Sequence, residues 1–271
     1  MSTFSTSLDP YLPANSPLHR LDARVKLPFT LALILVTSLL PVGAWLAYLL
    51  IWVLLLSLAA LSTLGIPLVL KRALIAIPFF LAALPLLFTG PEPRITLFTI
   101  QDWNFIISQP GLIRLVSIAL KSWLSVQAAI ILSLSTPFSE IAVALRALRL
   151  PKLFVGIISL MWRYLFLMVD QTVRLLRARA SRSATLPQRR DLKPGGSLGW
   201  RARVTGGMAG NLFLRSLERS DRVYAAMLSR GYDGEQRSLA APPLSRSDWL
   251  LLLMGLLILV FISLIGLLTG G

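Results

Sequence analysis

Two short stretches carry arginines in a setting suited to recognition: Ala178-Arg179-Ala180-Ser181-Arg182-Ser183 and Ala226-Met227-Leu228-Ser229-Arg230-Gly231. Each reads Ala, three residues, Arg, then a residue with a small side chain or none. On a helix, positions i and i+4 share a face one turn apart, so each copy sets a small Ala beside a projecting guanidinium. A guanidinium placed in this way can form bidentate, charge-assisted hydrogen bonds to a carboxylate. Both copies fall where a helix should stop. Gly231 suits the C′ position because it takes left-handed angles without strain, and Pro187 ends the first helix a few residues after its copy. Arg before a terminal Gly is also a common plain helix ending, since a cation there complements the dipole. Repetition within one basic block, Arg174 to Glu235, raises the pattern above capping.

The rest of the reactive inventory is sparse. There is no Cys, hence no disulfide framework and no thiolate metal site. His19 is the one His. Beside Arg20 in a polar N-terminal segment, it reads as a local structural residue rather than a metal ligand. No metal site is assigned to this chain, and no cofactor is expected. No Walker A sequence occurs, so ATP is not expected to bind in a P-loop here. The 12 carboxylates are scattered, none well inside the apolar stretches from Leu27 to Ser135. That argues against paired-aspartate membrane enzymes and carboxylate proton relays, and the serines lack a base. The chain is not read as an enzyme.

The elements that must position the arginines belong to a membrane protein. The chain has 271 residues, of which 55% are hydrophobic, and a mean hydropathy of +0.73, too apolar for soluble domains. The net charge of +15 arises from only 14% charged residues. About two thirds of the Lys and Arg lie between Pro137 and Trp249, which marks that block as cytoplasmic. A nucleic-acid partner is not expected, since no binding module accompanies the charge. The first residues show no cleavable signal peptide.

The pattern predicts an all-α polytopic fold with about five membrane spans. Met1 to Lys26 is a polar lead-in broken by Pro10, Pro13 and Pro17. Leu27 to Leu64 is too long for one span and breaks at Pro41-Val42-Gly43 into helices ending at Leu40 and starting at Ala44. Lys71 and Arg72 mark a return to the cytoplasm. Ala73 to Thr89, kinked at Pro78 and Pro85, is a third span. Gly90 to Gly111 is an external connection lying in the interface, with no secondary structure assigned. Leu112 to Ser135 is a fourth span, in which Lys121 either has a functional role or pairs with a carbonyl. Phe138 to Arg149 and Pro151 to Ser183 are expected as helices under the membrane. Crossing there would put the most basic part of the chain outside, and Arg163 would be buried in lipid. Val204 to Arg230 is helical, with Phe213, Leu217, Tyr224 and Leu228 on one face. Trp249 to Leu268 is the last span. The organisation is thus 1–135 (N-terminal segment and four spans), 136–247 (cytoplasmic coupling-helix domain) and 248–271 (C-terminal span).

The duplicated Arg motif, the run Arg215-Ser216-Leu217-Glu218-Arg219-Ser220-Asp221-Arg222-Val223-Tyr224 leading into Ala226 to Gly234, and the opening Ser16-Pro17-Leu18-His19-Arg20-Leu21-Asp22 together resemble one family. It is the transmembrane T component of energy-coupling factor transporters, in the CbiQ-like branch associated with cobalt and nickel uptake. The likeness runs from about Leu18 to Leu268. It departs at Ser183, where the family usually has Gly, so Arg179 remains an alternative to Arg182. The resemblance implies a transporter subunit in the bacterial plasma membrane with its N-terminus in the cytoplasm. Its implied partners are two ATP-binding cassette ATPase subunits and a membrane-embedded, CbiM-like substrate-binding S component. Ala178, Arg182, Ser183, Ala226, Arg230 and Gly231 would be the residues that meet the ATPases, which hydrolyse the ATP. The alternative within transport is a conventional ABC permease that forms the substrate path itself. No residue distinguishes cobalt from nickel.

Overall fold

The computed structural model describes residues 10–87, 94–100, 103–182, 197–234 and 243–270. The chain divides into two compact units, one made of Pro10–Leu148 and the last segment from Ala241, the other of Arg149–Ala240. The protein is a polytopic membrane protein, all-α apart from one two-stranded hairpin. Among the described residues four helices are long and apolar enough to cross a bilayer: Ile66–Ala83, Gln109–Ser135, Lys152–Arg182 and Arg246–Thr269, with Trp45–Leu61 shorter.

The first unit begins with a short helix α1 (Pro17–Arg20) and then α2 (Ala23–Leu39), whose N-cap Asp22 accepts from the Arg24 N–H at 2.9 Å. The break expected at Pro41-Val42-Gly43 is a tight turn in which Gly43 takes φ +86°. Tyr48 Oη donates to the Pro41 carbonyl (2.7 Å), and the Gly43 N–H donates to Ser117 Oγ (3.1 Å). Helix α3 (Trp45–Leu61) follows and buries Ala47, Tyr48, Ile51, Leu55 and Ala59, one stripe at helical spacing.

The third span starts earlier than its hydropathy suggests. Gly65, at φ +82°, and Pro67 in the first turn start α4 (Ile66–Ala73). Lys71 and Arg72 therefore lie within this helix and not in a loop before it. Pro78 opens α5 (Ile77–Ala83) and Pro85 lies in a 3-10 turn, with another 3-10 turn joining the two helices. The prolines thus kink the element without ending it.

The connection that follows contains an antiparallel hairpin, β1 (Arg94–Ile100) paired with β2 (Trp103–Ser108) from Arg94↔Ser108 to Ile100↔Trp103, with an irregularity between Thr96 and Phe98. Its β-branched and aromatic content (Ile95, Thr96, Phe98, Thr99, Ile100, Trp103, Phe105, Ile106, Ile107) suits strands. Ser108 then caps α6 (Gln109–Ser135) by accepting from the Gly111 N–H at 3.4 Å.

Helix α7 (Phe138–Ala147) belongs to this first unit and packs on α2, with Ala144 buried beside Ala23 and Leu27. The C-terminal helix α10 (Arg246–Thr269) opens with a capping box between Ser245 and Asp248. It presents Gly255, Leu259, Ile262 and Gly266, one stripe at 4-, 3- and 4-residue steps, to α2 and α3. A Cβ on Gly255 would stand 2.8 Å from the Phe29 ring, and one on Gly266 would overlap Leu40 and approach Ala47 at 3.2 Å. The core of the unit is where Leu33, Leu40, Ala47, Ile51, Leu124, Ile131, Leu259 and Ile262 meet.

The second unit is a pair of long helices, α8 (Lys152–Arg182) and α9 (Leu198–Leu228, N-cap Ser197). Ile157, Met161, Tyr164 and Met168 of α8 share a groove of about 500 Å³ with Met227, Tyr224, Val223 and Ser216 of α9. At the other end of α8, Arg179 reaches Thr205 and Trp200 near the start of α9. The two helices therefore run antiparallel over most of their length.

Candidate coupling surface

The two arginine motifs lie at the C-terminal ends of α8 and α9. Arg230 follows a helix end closed by a Schellman motif. The Tyr232 N–H donates to the Met227 carbonyl (3.1 Å), the Gly231 N–H donates to the Leu228 carbonyl (2.9 Å), and Gly231 takes φ +79°. Gly231 thus has the C′ role expected from its type, and it fixes the direction in which the chain leaves Arg230. Ala226 and Arg230 are both exposed. No side-chain partner is found for the Arg230 guanidinium among the described residues.

At the end of α8, Ala178 and Arg182 are exposed, while Ser183 and Pro187 lie outside the described residues. The choice between Arg182 and Arg179 has a structural basis. Arg179 Nη1 donates to Thr205 Oγ1 at 2.7 Å, and its guanidinium lies 5.9 Å from the centroid of the Trp200 ring. It is a latch between α8 and α9. Arg182 makes no such contact among the described residues. The latch is absent from the sequence-level prediction, because Thr205 and Trp200 lie more than twenty residues away.

Because α8 and α9 are antiparallel, the two C-terminal ends point away from each other. From the level of Thr205 to Arg230 is about 25 residues, or ~37 Å at 1.5 Å per residue, and Arg182 lies almost a turn beyond Arg179. Arg182 and Arg230 are thus about 40 Å apart, each on its own helix end.

Two other polar residues have structural roles. His19 Nδ1 is 2.6 Å from Ser16 Oγ and its Nε2 is 3.0 Å from the Leu12 carbonyl, so both ring nitrogens are occupied by the N-terminal segment itself. This is the local role expected of it. Lys121 Nζ donates to the carbonyls of Ser38 (3.2 Å) and Leu40, completing the C-terminal end of α2. Among the described residues no group of three His, Cys, Asp or Glu side chains is placed to hold a metal ion.

The family model described as CbiQ, cobalt transport protein, matches residues 14–239. The chain belongs to the CbiQ family. Relatives of this CbiQ-family chain include the energy-coupling factor transporter transmembrane protein EcfT of Lactococcus lactis subsp. cremoris, 28% identical over 234 residues that cover 83% of each chain. A putative fused cobalt transport protein CbiMQ of Methanocorpusculum labreanum is 30% identical over 230 residues, 81% of this chain but only 35% of the fused protein. The CbiQ-family chain therefore spans about a third of that relative's length. An uncharacterized protein of Methanocaldococcus jannaschii, MJ1571, is 28% identical over 204 residues, 74% of this chain and 67% of its own. The resemblance to the CbiQ-like T component is thereby shown over residues 14–239.

Proposed function

We propose that the chain couples ATP hydrolysis by two cytosolic ATPase subunits to the reorientation of a membrane-embedded substrate-binding subunit, in an importer for cobalt or nickel ions. The observation that carries this reading is the pair of exposed arginines, without a side-chain partner among the described residues, on two helix ends about 40 Å apart. Two equivalent tips at that separation suit two separate sites on a pair of ATPases better than one shared site. Each guanidinium would enter an acidic groove, with Ala178 or Ala226 letting the helix face come close. The fused CbiMQ relative supports a second membrane partner.

The reading requires α8 to lie outside the bilayer, although it is long and apolar enough to cross. Its neighbour α9 supports this, since it carries Arg215, Glu218, Arg219, Asp221 and Arg222 along the stretch that flanks the groove. Each charge of this kind costs roughly 2.5–3.5 kcal/mol at the centre of a spanning helix. A pair that includes α9 is therefore held out of the hydrocarbon. On α8, Lys152, Arg163, Asp170, Arg174 and Arg177 form one charged stripe, with Arg174 and Asp170 paired at 2.8 Å. Helix α8 reads as amphipathic, its N-terminus and the bulk of the basic block on the cytoplasmic side.

The test is co-purification of the chain, wild type and Arg182→Glu plus Arg230→Glu, from cells co-expressing the ATPases, reading ATPase per chain. Loss of ATPase with membrane insertion unchanged is expected. Full retention would reduce both motifs to helix ends without a partner.

A further inference from the structure

Helix α9 contains Gly206, Gly207 and Gly210 within five residues, in its N-terminal half. In a helix interior each is about five-fold less favourable than alanine. Packing normally explains such a cluster, because a missing side chain lets another backbone approach. Packing among the described residues of this chain does not explain it. A Cβ built on any of the three meets nothing within 4 Å, and all lie at helical, negative φ. What the three glycines give α9 is backbone freedom at one place.

That place separates two parts of α9 that are held differently. On its N-terminal side, Thr205 accepts from Arg179 at 2.7 Å and itself donates to the Arg201 carbonyl at 2.8 Å, while Trp200 lies beneath the same guanidinium. This arm is latched to the end of α8 that carries Arg182. On the C-terminal side, Ser216, Val223, Tyr224 and Met227 border the groove of about 500 Å³, where α8 and α9 do not close on each other.

We propose that Gly206, Gly207 and Gly210 form a hinge that lets the arm ending at Arg230 swing against α8 while the arm beside Arg182 stays fixed. The lever is about 20 residues, or ~30 Å, so a 10° bend at the hinge moves Arg230 by about 5 Å. The groove supplies the room for that motion, and its methionines repack as it narrows or widens. The hinge makes the spacing of the two arginine tips adjustable, which rests on the coupling reading only for its use and not for its existence.

The test uses the full chain alone in detergent. It has no native cysteine, so spin labels can be placed cleanly at Ser181→Cys and Ser229→Cys, and the distance distribution read by double electron–electron resonance. The expected result is a broad distribution centred near 40 Å. In Gly206→Ala plus Gly207→Ala plus Gly210→Ala it should narrow to about half its width with the centre little moved, because alanine restores helix stiffness at sites with space for a Cβ. A second pair, Ser181→Cys with Ala202→Cys, lies on the latched side about 10 Å apart, within reach of continuous-wave dipolar broadening, and should show one narrow distance in both backgrounds. An unchanged width for the first pair in the triple variant overturns the hinge, and a second pair as broad as the first overturns the latch on which it depends. Since neither readout needs an ATPase, failure of the hinge is separate from failure of the coupling reading. If both hold, ATPase retention in the triple variant stays at the wild-type level while ATP-driven uptake falls several-fold.

Discussion

Replacing Lys121 by Met separates a structural ammonium from a transport residue. The side chains are similar in length, so packing is largely kept while the charge and its donors are lost. In the structure Nζ donates to the Ser38 and Leu40 carbonyls at the end of α2, from α6 beside it. Hydrogen bonds from charged donors contribute about 1.5–3 kcal/mol each, and part of the loss is recovered if water reaches the freed carbonyls. A net loss of about 2–4 kcal/mol is therefore expected, or on the order of 5–15 °C in Tm for a unit of this size. Water should reach them only partly, because Lys121 is at the level of the turn that joins α2 to α3, as the neighbouring Gly43 to Ser117 hydrogen bond also shows. The assay is thermal unfolding in detergent, paired with ATP-driven uptake per folded chain in reconstituted vesicles. The expected outcome is a lower Tm with uptake per folded chain close to wild type. Lys121→Arg, which keeps the charge and the donors, should recover much of the Tm. Abolished uptake at an unchanged Tm would refute the capping argument and make Lys121 part of the transport path.

The other expectations concern glycines. Gly266→Leu places a side chain where a Cβ already overlaps Leu40 and crowds Ala47, so overpacking of about 1–3 kcal/mol should separate α10 from α2 and α3, read as earlier heat aggregation in detergent. Gly199→Ala, with nothing within 4 Å, should shift that curve little. Gly231→Val forces a β-branched residue to φ +79° and should fray the Schellman end, weakening ATPase retention although Arg230 is intact, whereas Gly231→Asn, which tolerates left-handed angles, should retain it. Equal retention by the Val and Asn variants would show that the direction of the Arg230 end does not matter.

Much of the membrane unit was legible because lipid leaves few choices. Long apolar runs become helices, and Pro41-Val42-Gly43 is the only polar-tolerant break in the first of them. Where several signals overlapped, the pattern misled. Lys71 and Arg72 look like loop residues, yet Gly65 and Pro67 start a helix before them and carry them into it. The hairpin at Arg94–Ser108 was hidden because its residues are apolar without a strict two-residue period, and the irregularity between Thr96 and Phe98 breaks what alternation there is. At the candidate site, Gly231 was readable as C′ because left-handed geometry is close to a glycine property. The roles of Arg179 and Arg182 were not separable, since both suit a helix end. Only the antiparallel return of α9, which brings Thr205 and Trp200 to Arg179, distinguishes them.

The N-terminal lead-in carries a consequence for how the chain is made. The Leu12 N–H donates to the Leu134 carbonyl, and Lys26 Nζ, on a side chain now almost wholly enclosed, donates to the Ser135 carbonyl 109 residues later. Both acceptors belong to the end of α6. At translation speeds of about 5–20 residues per second, several seconds to some twenty seconds pass between synthesis of Lys26 and that of its acceptor. Throughout that interval the Lys26 ammonium is without this acceptor, and the start of the chain cannot lock down until the last turn of α6 has been made. Helix α10, whose Gly255 and Gly266 fit against Phe29 and Leu40, arrives later still. The first long helix to be synthesised is thus among the last to be completed, so slowing translation between α2 and α6 should lengthen the time during which it is open to quality-control proteases.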